Sequence, residues 1–317
     1  MKKKLLALGV AAALSLSLAA CTTPEEGTNG DTLIKVGFSQ IGSESGWRTA
    51  NTDSVKASLS KDNGFELTFA DAMGKQENQI KALRDFITAG VDVISFTPIV
   101  ETGWDQVLQE IKDAGIPVVL VDRLVDTTVE DPYVTWVGAD FRLEGQLAGQ
   151  WVKENYPDAK IFELQGQLGS GAQIERELGF HEYMAANIIG QATGNFNRED
   201  GKVAMEAALA KYPDMNLLFA HNDDMGLGAI EAIKAAGKVP GVDIIIVTVD
   251  GVKAGLEALL EGEINYIVEC NPVFGDQIAD LIKKVYADEP VNKENIVVDA
   301  TFEHGTFTQE ELDQRKY

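Results

Sequence analysis

The amino-acid sequence predicts an α/β fold with two doubly wound parallel sheets, and three observations carry that prediction. Short, nearly continuous apolar runs alternate with helix-length amphipathic segments. One junction of helix end, Gly turn and strand occurs twice, as AGVDVI at 89–94 and AGIPVVL at 114–120. The length, 317 residues, suits about two domains.

The runs that read as strands are 33–38, 65–70, 92–96, 117–121 and 134–138, then 160–164, 217–220, 244–249 and 265–269. Between them, Ile80, Leu83, Phe86 and Ile87 recur at helical spacing, with Gly90 as the stop. Val107, Leu108 and Ile111 do the same ahead of Gly115. Helices that connect parallel strands cross over with the right hand.

The first residues do not belong to that core. Lys2, Lys3 and Lys4 precede an apolar run, LLALGVAAALSLSLAA, over 5–20. This is the layout of a secretory signal peptide. The ending Leu18-Ala-Ala-Cys21 resembles the lipobox of bacterial lipoproteins, which implies lipidation of Cys21 after cleavage. Residues 22–31, TTPEEGTNGD, read as a flexible tether. Cleavage removes three lysines and takes the net charge from −23 to −26. So acidic a chain is a poor partner for nucleic acid or for wide contact with an anionic membrane. Beyond Cys21 the one cysteine is Cys270, in an apolar run, which reads as a small buried hydrophobe.

In doubly wound sheets, ligands sit at the carboxyl ends of the strands. Ser39 to Arg48 follow the first strand; Asp122 and Arg123 follow the fourth. His221, Asn222, Asp223 and Asp224 follow LLFA, and Asp250 follows IIIVTV. Helix capping is the plainer account of such residues, and fits Asp223 or Asp224 better than Asp250. The remaining set of Asp, Arg, Asn and Trp suits a neutral sugar. Carboxylates accept from hydroxyls, Arg and Asn donate to oxygens, and Trp47 offers a flat face to C–H groups. His181 and His221 lack HxxxH spacing and a carboxylate at metal spacing, so no metal site is expected. Gly166–Gly171, GQLGSG, has no Lys at Walker spacing. No cofactor is expected.

The segments VGFSQIGSESGWR, KQENQIKALRDFI, LVDR, ELQGQLGSGAQIERELGF, AHNDDMGLGAI and VDG resemble the periplasmic sugar-binding proteins of ABC importers, the ribose/galactose-binding type, over about 33–302. The resemblance implies a type I periplasmic binding protein, two domains joined by a hinge of three crossovers near 138–141, 269–272 and 300–304. It implies a signal peptide at 1–20, a lipidated tether at 21–32, a first domain of 33–139 plus 271–302, and a second of 140–270 plus 303–317. It implies a monomeric carrier that closes on a monosaccharide, galactofuranose, and hands it to an importer permease. Carried over residue by residue, it assigns Glu44, Ser45, Gly46, Trp47, Arg48, Asp122, Arg123, Arg176, Asn222 and Asp250 to the sugar. Relatives often have Gln where this chain has Cys270, which leaves Glu269 as a lesser candidate. Asp140 either touches ligand or caps the helix that follows. Two other readings stay open. The same site could serve a sensor that presents sugar to a membrane receptor, or Asp122 and Asp250 could be the paired carboxylates of a glycoside-cleaving enzyme.

Overall fold

A computed structural model describes residues 33–317. The expected signal peptide, Cys21 and the tether lie outside those residues. Two six-stranded sheets form two lobes. In the first, β1 (Ile34–Gln40) lies between β2 (Phe65–Asp71) and β3 (Val93–Phe96), followed outward by β4 (Val118–Val121), β5 (Thr135–Ala139) and β11 (Glu294–Val297). In the second, β6 (Ile161–Gln165) lies between β7 (Ile188–Thr193) and β8 (Leu217–Ala220). Beyond β8 come β9 (Ile245–Asp250), β10 (Tyr266–Glu269) and β12 (Thr301–Glu303). Every pairing is parallel except β10 with β12.

The central strands β3, β4, β5, β6, β8 and β10 are buried at every residue, because helices cover both faces. The first lobe carries α1 (Gly46–Ser58), α2 (Gln76–Ala89), α3 (Asp105–Asp113) and, from late in the chain, α9 (Gly275–Tyr286). The second carries α4 (Phe141–Asn155), α5 (Gly171–Met184), α6 (Arg198–Lys211), α7 (Asp223–Ala235), α8 (Lys253–Leu260) and α10 (Gln309–Asp313).

Three strands escaped the sequence reading. β7 is an edge strand with no fully buried residue, and its IIGQAT lacks the continuous apolar signature. β11 and β12 are short edge strands with mostly polar, exposed residues. They also move a boundary. The chain passes between lobes after Ala139, after Glu269 and between Val297 and Thr301. The last crossing therefore precedes the expected 300–304, and residues 301 and 302 pair in the second sheet rather than the first.

Each lobe has the strand order in which the chain first runs outward one way from β1 or β6 and then reverses. The reversal, between β1 and β3 and between β6 and β8, opens a crevice at the carboxyl ends. The two crevices face one another.

One close approach prepares the site. A Cβ at Gly145 would lie 2.2 Å from the Arg176 carbonyl oxygen, and one at Gly179 would lie 2.2 Å from that of Arg142. Only glycine lets α4 and α5 touch backbone to backbone here. That contact sets Glu144 beside Arg176.

Candidate functional site

A cavity between the lobes is lined by Glu44, Ser45, Trp47, Arg48, Asp122, Arg123, Arg176, Asn222 and Asp250, all expected from sequence. Phe141, Ala172, Phe196 and Cys270 complete it. The space between lining atoms is about 290 Å³, of which about 20 Å³ admits a water-sized sphere. The lobes must part for anything larger to enter.

The first lobe lines the cavity through α1 and the turn after β4. Ser45 caps α1, accepting from the Arg48 backbone N–H at 3.1 Å. This starts the helix at Gly46 and turns Trp47 and Arg48 inward. The Arg48 guanidinium donates to Asp122 at 2.6 Å and to Glu44 at 3.1 Å, and lies 4.6 Å from the Trp47 ring. Burial disfavours the Arg48 charge, but Asp122 and Glu44 outweigh it, so its pKa stands above the ordinary value. The Arg123 N–H donates to the Val121 carbonyl at 2.7 Å, closing a three-residue turn centred on Asp122 at φ 65°. That turn aims both Asp122 and Arg123 into the cleft. Burial, and then the Arg48 charge, bring Arg123 down to about 10.

The second lobe answers with Arg176 on α5. Its guanidinium donates to Glu144 at 2.6 Å and to the His221 carbonyl at 2.5 Å, and stands 3.8 Å from Asp250. Burial pushes both Asp250 and Glu144 up, against the pull of Arg176. Asn222 caps α7, accepting from Met225 N–H at 3.0 Å, while its amide donates to the Phe196 carbonyl at 3.2 Å. The expected cap at Asp223 or Asp224 is thus Asn222 itself. Asp223 is instead buried, accepting from the Thr248 hydroxyl at 2.5 Å and from Val252 N–H at 2.8 Å. Asp122, Phe196 (φ 62°) and Asp250 (φ 127°) all hold the left-handed backbone that side chains disfavour. Such strain costs on the order of 1–3 kcal/mol per residue and concentrates at ligand clamps.

Three expected residues stand away from the cavity lining. Gly46 donates its N–H to Asp224 of the opposite lobe at 2.7 Å, so it joins the lobes. Asp140 caps α4, accepting from Leu143 N–H at 2.9 Å. Glu269 is consumed at the hinge by Ala300 N–H, the Tyr317 hydroxyl and Arg315, at 2.9, 2.7 and 2.7 Å. Phe196 escaped notice because it follows the unread strand β7, and Phe141 because it opens a helix directly after β5. Both stand just past the carboxyl end of a strand, Phe196 after β7 and Phe141 after β5.

The histidines also have a partner that spacing concealed. Glu163 on β6 lies 2.8 Å from His181 and 3.0 Å from His221, and its pKa is about 2 because those hydrogen bonds outweigh its burial. Glu163, Glu177 and His181 come close enough to share an ion, but Gln191, His181 and His221 already satisfy both Glu163 oxygens. The group is a hydrogen-bonded support behind the cavity.

Three carboxylates and three guanidiniums line the cavity, so it asks for a neutral ligand. Among the described residues, Glu44 Oε2, Arg48 Nη1, Arg123 Nε and Asp250 Oδ2 are buried polar atoms with no hydrogen-bond partner, although Arg123 Nε has the Asp122 carboxylate 3.8 Å away. Each such atom costs about 1–3 kcal/mol while unpaired. A polyhydroxyl ligand supplies donors for the carboxylates and acceptors for the guanidiniums, while Trp47, Phe141 and Phe196 offer apolar faces.

Comparison with known proteins follows the same line. The model of a periplasmic binding protein domain matches residues 36–289. The chain is 43% identical over 292 residues to the galactofuranose-binding protein of Escherichia coli, covering 89% of this chain and 92% of that one. A solved Mycobacterium smegmatis structure in complex with β-D-fucofuranose is 52% identical, with a TM-score of 0.84 over 86% of this chain and 91% of the other. The binding component of an arabinose ABC transporter from Shewanella sp. ANA-3, bound to L-arabinofuranose, is 42% identical with a TM-score of 0.84, covering 89% and 95%.

Proposed function

Because the chain belongs to the periplasmic binding protein family, as a sugar binder of the galactofuranose/ribose type working outside the cytoplasm, we propose that its ligand is galactofuranose and that it delivers this sugar to an ABC importer. Members of this family bind solutes and are not enzymes, so Asp122 and Asp250 act as hydrogen-bond acceptors and not as a catalytic pair.

The observation that carries the reading is the set of buried polar atoms without a hydrogen-bond partner among the described residues, contributed by both lobes: Glu44, Arg48 and Arg123 on one side and Asp250 on the other. A ligand that satisfies both halves binds only when the lobes are together, so it selects the closed form. The similarity to a galactofuranose-binding protein and to structures bound to fucofuranose and arabinofuranose supports a five-membered ring. A permease that recognises the closed form then takes only loaded carriers. Lipidation at Cys21 holds the carrier near that permease, and the polar segment 22–31 gives it reach. The carrier acts as a monomer.

Uptake of labelled galactofuranose by cells with and without this protein tests the reading. Loss of uptake without it, restored by the parent but not by Cys21→Ala, is expected. Unchanged uptake contradicts delivery.

A further inference from the structure

The inner cavity shares Glu44, Arg123 and Phe196 with a second compartment at the mouth of the cleft, where about 300 Å³ admits a water-sized sphere, against about 20 Å³ inside. We propose that this compartment is a second subsite, and that the protein takes a short furanosyl glycoside, its terminal ring inside and its next sugar unit at the mouth. The proposal rests on the sugar-binding reading of the inner cavity.

The junction between the compartments is chemically prepared. Glu44 Oε2 and Arg123 Nε, on two of the shared residues, are buried without a hydrogen-bond partner among the described residues, and Arg123 is only 4% exposed. One is an acceptor and the other a donor, as a bridging oxygen with a neighbouring hydroxyl requires. A volume near 300 Å³ is at the lower end for ligand pockets and suits one further sugar unit.

The mouth is also built. Met73 is 72% exposed yet held at φ 51°, by its own N–H donating to Asp71 at 2.7 Å and by Gly74 N–H donating to the Ile41 carbonyl at 2.8 Å. These bonds hold a strained backbone that presents an apolar side chain to water, and such strain gathers at ligand clamps. The Met side chain adapts to irregular apolar surface, such as the C–H face of a sugar. Gln167 faces it from the second lobe. The subsite therefore draws on both lobes, as the inner cavity does.

Calorimetric titration compares galactofuranose with a galactofuranosyl-galactofuranose disaccharide, on the parent and on Met73→Ala/Gln167→Ala. The disaccharide should bind the parent at least as tightly as the monosaccharide. The double variant should weaken the disaccharide about five- to tenfold and leave the monosaccharide within about twofold. A parent that binds only the monosaccharide, or a variant that affects both ligands alike, overturns the second subsite. A folded parent that binds neither ligand overturns the sugar reading itself, which is a separate result.

Discussion

Glu144 and Arg176 meet at 2.6 Å with side chains 2% and 4% exposed, one layer behind the cavity wall. The glycine contact of α4 with α5 makes the meeting possible. Glu144 therefore positions Arg176, although it does not itself line the cavity. Glu144→Gln leaves the guanidinium buried with a neutral partner. A loss of about 3 kcal/mol in stability is expected in urea denaturation, together with at least tenfold weaker sugar binding by calorimetry. Unchanged affinity in the folded variant would remove Glu144 from the site.

Arg48 holds the matching place in the first lobe. Its place in the first turn of α1, just after the first strand, alone makes it a replaceable sugar contact, but its bonds to Asp122 and Glu44 make it structural as well. Arg48→Ala should abolish binding and cost about 3 kcal/mol, because Asp122 stays buried with no hydrogen-bonded cation, only Arg123 at 3.8 Å. Arg48→Met combined with Asp122→Asn should recover much of the stability and none of the binding. A single variant as stable as the parent would show that the ion pair contributes little.

The bond from Gly46 N–H to Asp224 joins the lobes at the rim, at 2.7 Å, away from the cavity lining. A carboxylate at the amino end of α1 is favoured by the helix dipole. Asp224→Ala should raise the sugar dissociation rate several-fold, about 1 kcal/mol at the latch, with the association rate little changed. Stopped-flow fluorescence reads both rates. An unchanged dissociation rate argues against a latch.

The third crossing carries a proton-sensitive group. Asp299 accepts from Asn271 N–H at 2.9 Å, and burial, then the Glu144 charge, raise it to about 8. Its unfolded value is about 3.9. A raised folded pKa gives stability that is full below the unfolded value and lost as pH rises through the folded one. The parent should therefore lose Tm relative to Asp299→Asn as pH climbs from about 4 to about 8. Parallel Tm profiles for the two proteins would contradict the shift.

The central strands of both sheets were legible because burial on both faces leaves an unbroken apolar run, as in VVLV at 118–121. Edge strands carry no such mark, and with β7 went Phe196. Arg48, Asp122 and Asp250 were legible from their places after strands. Gly46 was assigned to the ligand by resemblance, with Glu269 as a lesser candidate and Asp140 as either a ligand contact or a helix cap; Gly46 bonds Asp224 across the lobes, Asp140 caps a helix and Glu269 bonds at the hinge. Sequence gives the order of residues around a cleft but not which way each side chain turns. Glu144 and Glu163 were invisible for another reason: the partner of Glu144 lies 32 residues away, and those of Glu163 lie 18 and 58 away, across helix and strand packing.

Titration calorimetry of galactofuranose into the purified protein tests the central claim most directly. One saturable 1:1 isotherm is predicted, with Kd of about 1 μM or tighter, lost in both Arg48→Ala and Arg176→Ala. The two lobes must hold the sugar together for both variants to fail. No saturable heat from the folded parent, or full binding by either folded variant, would contradict it.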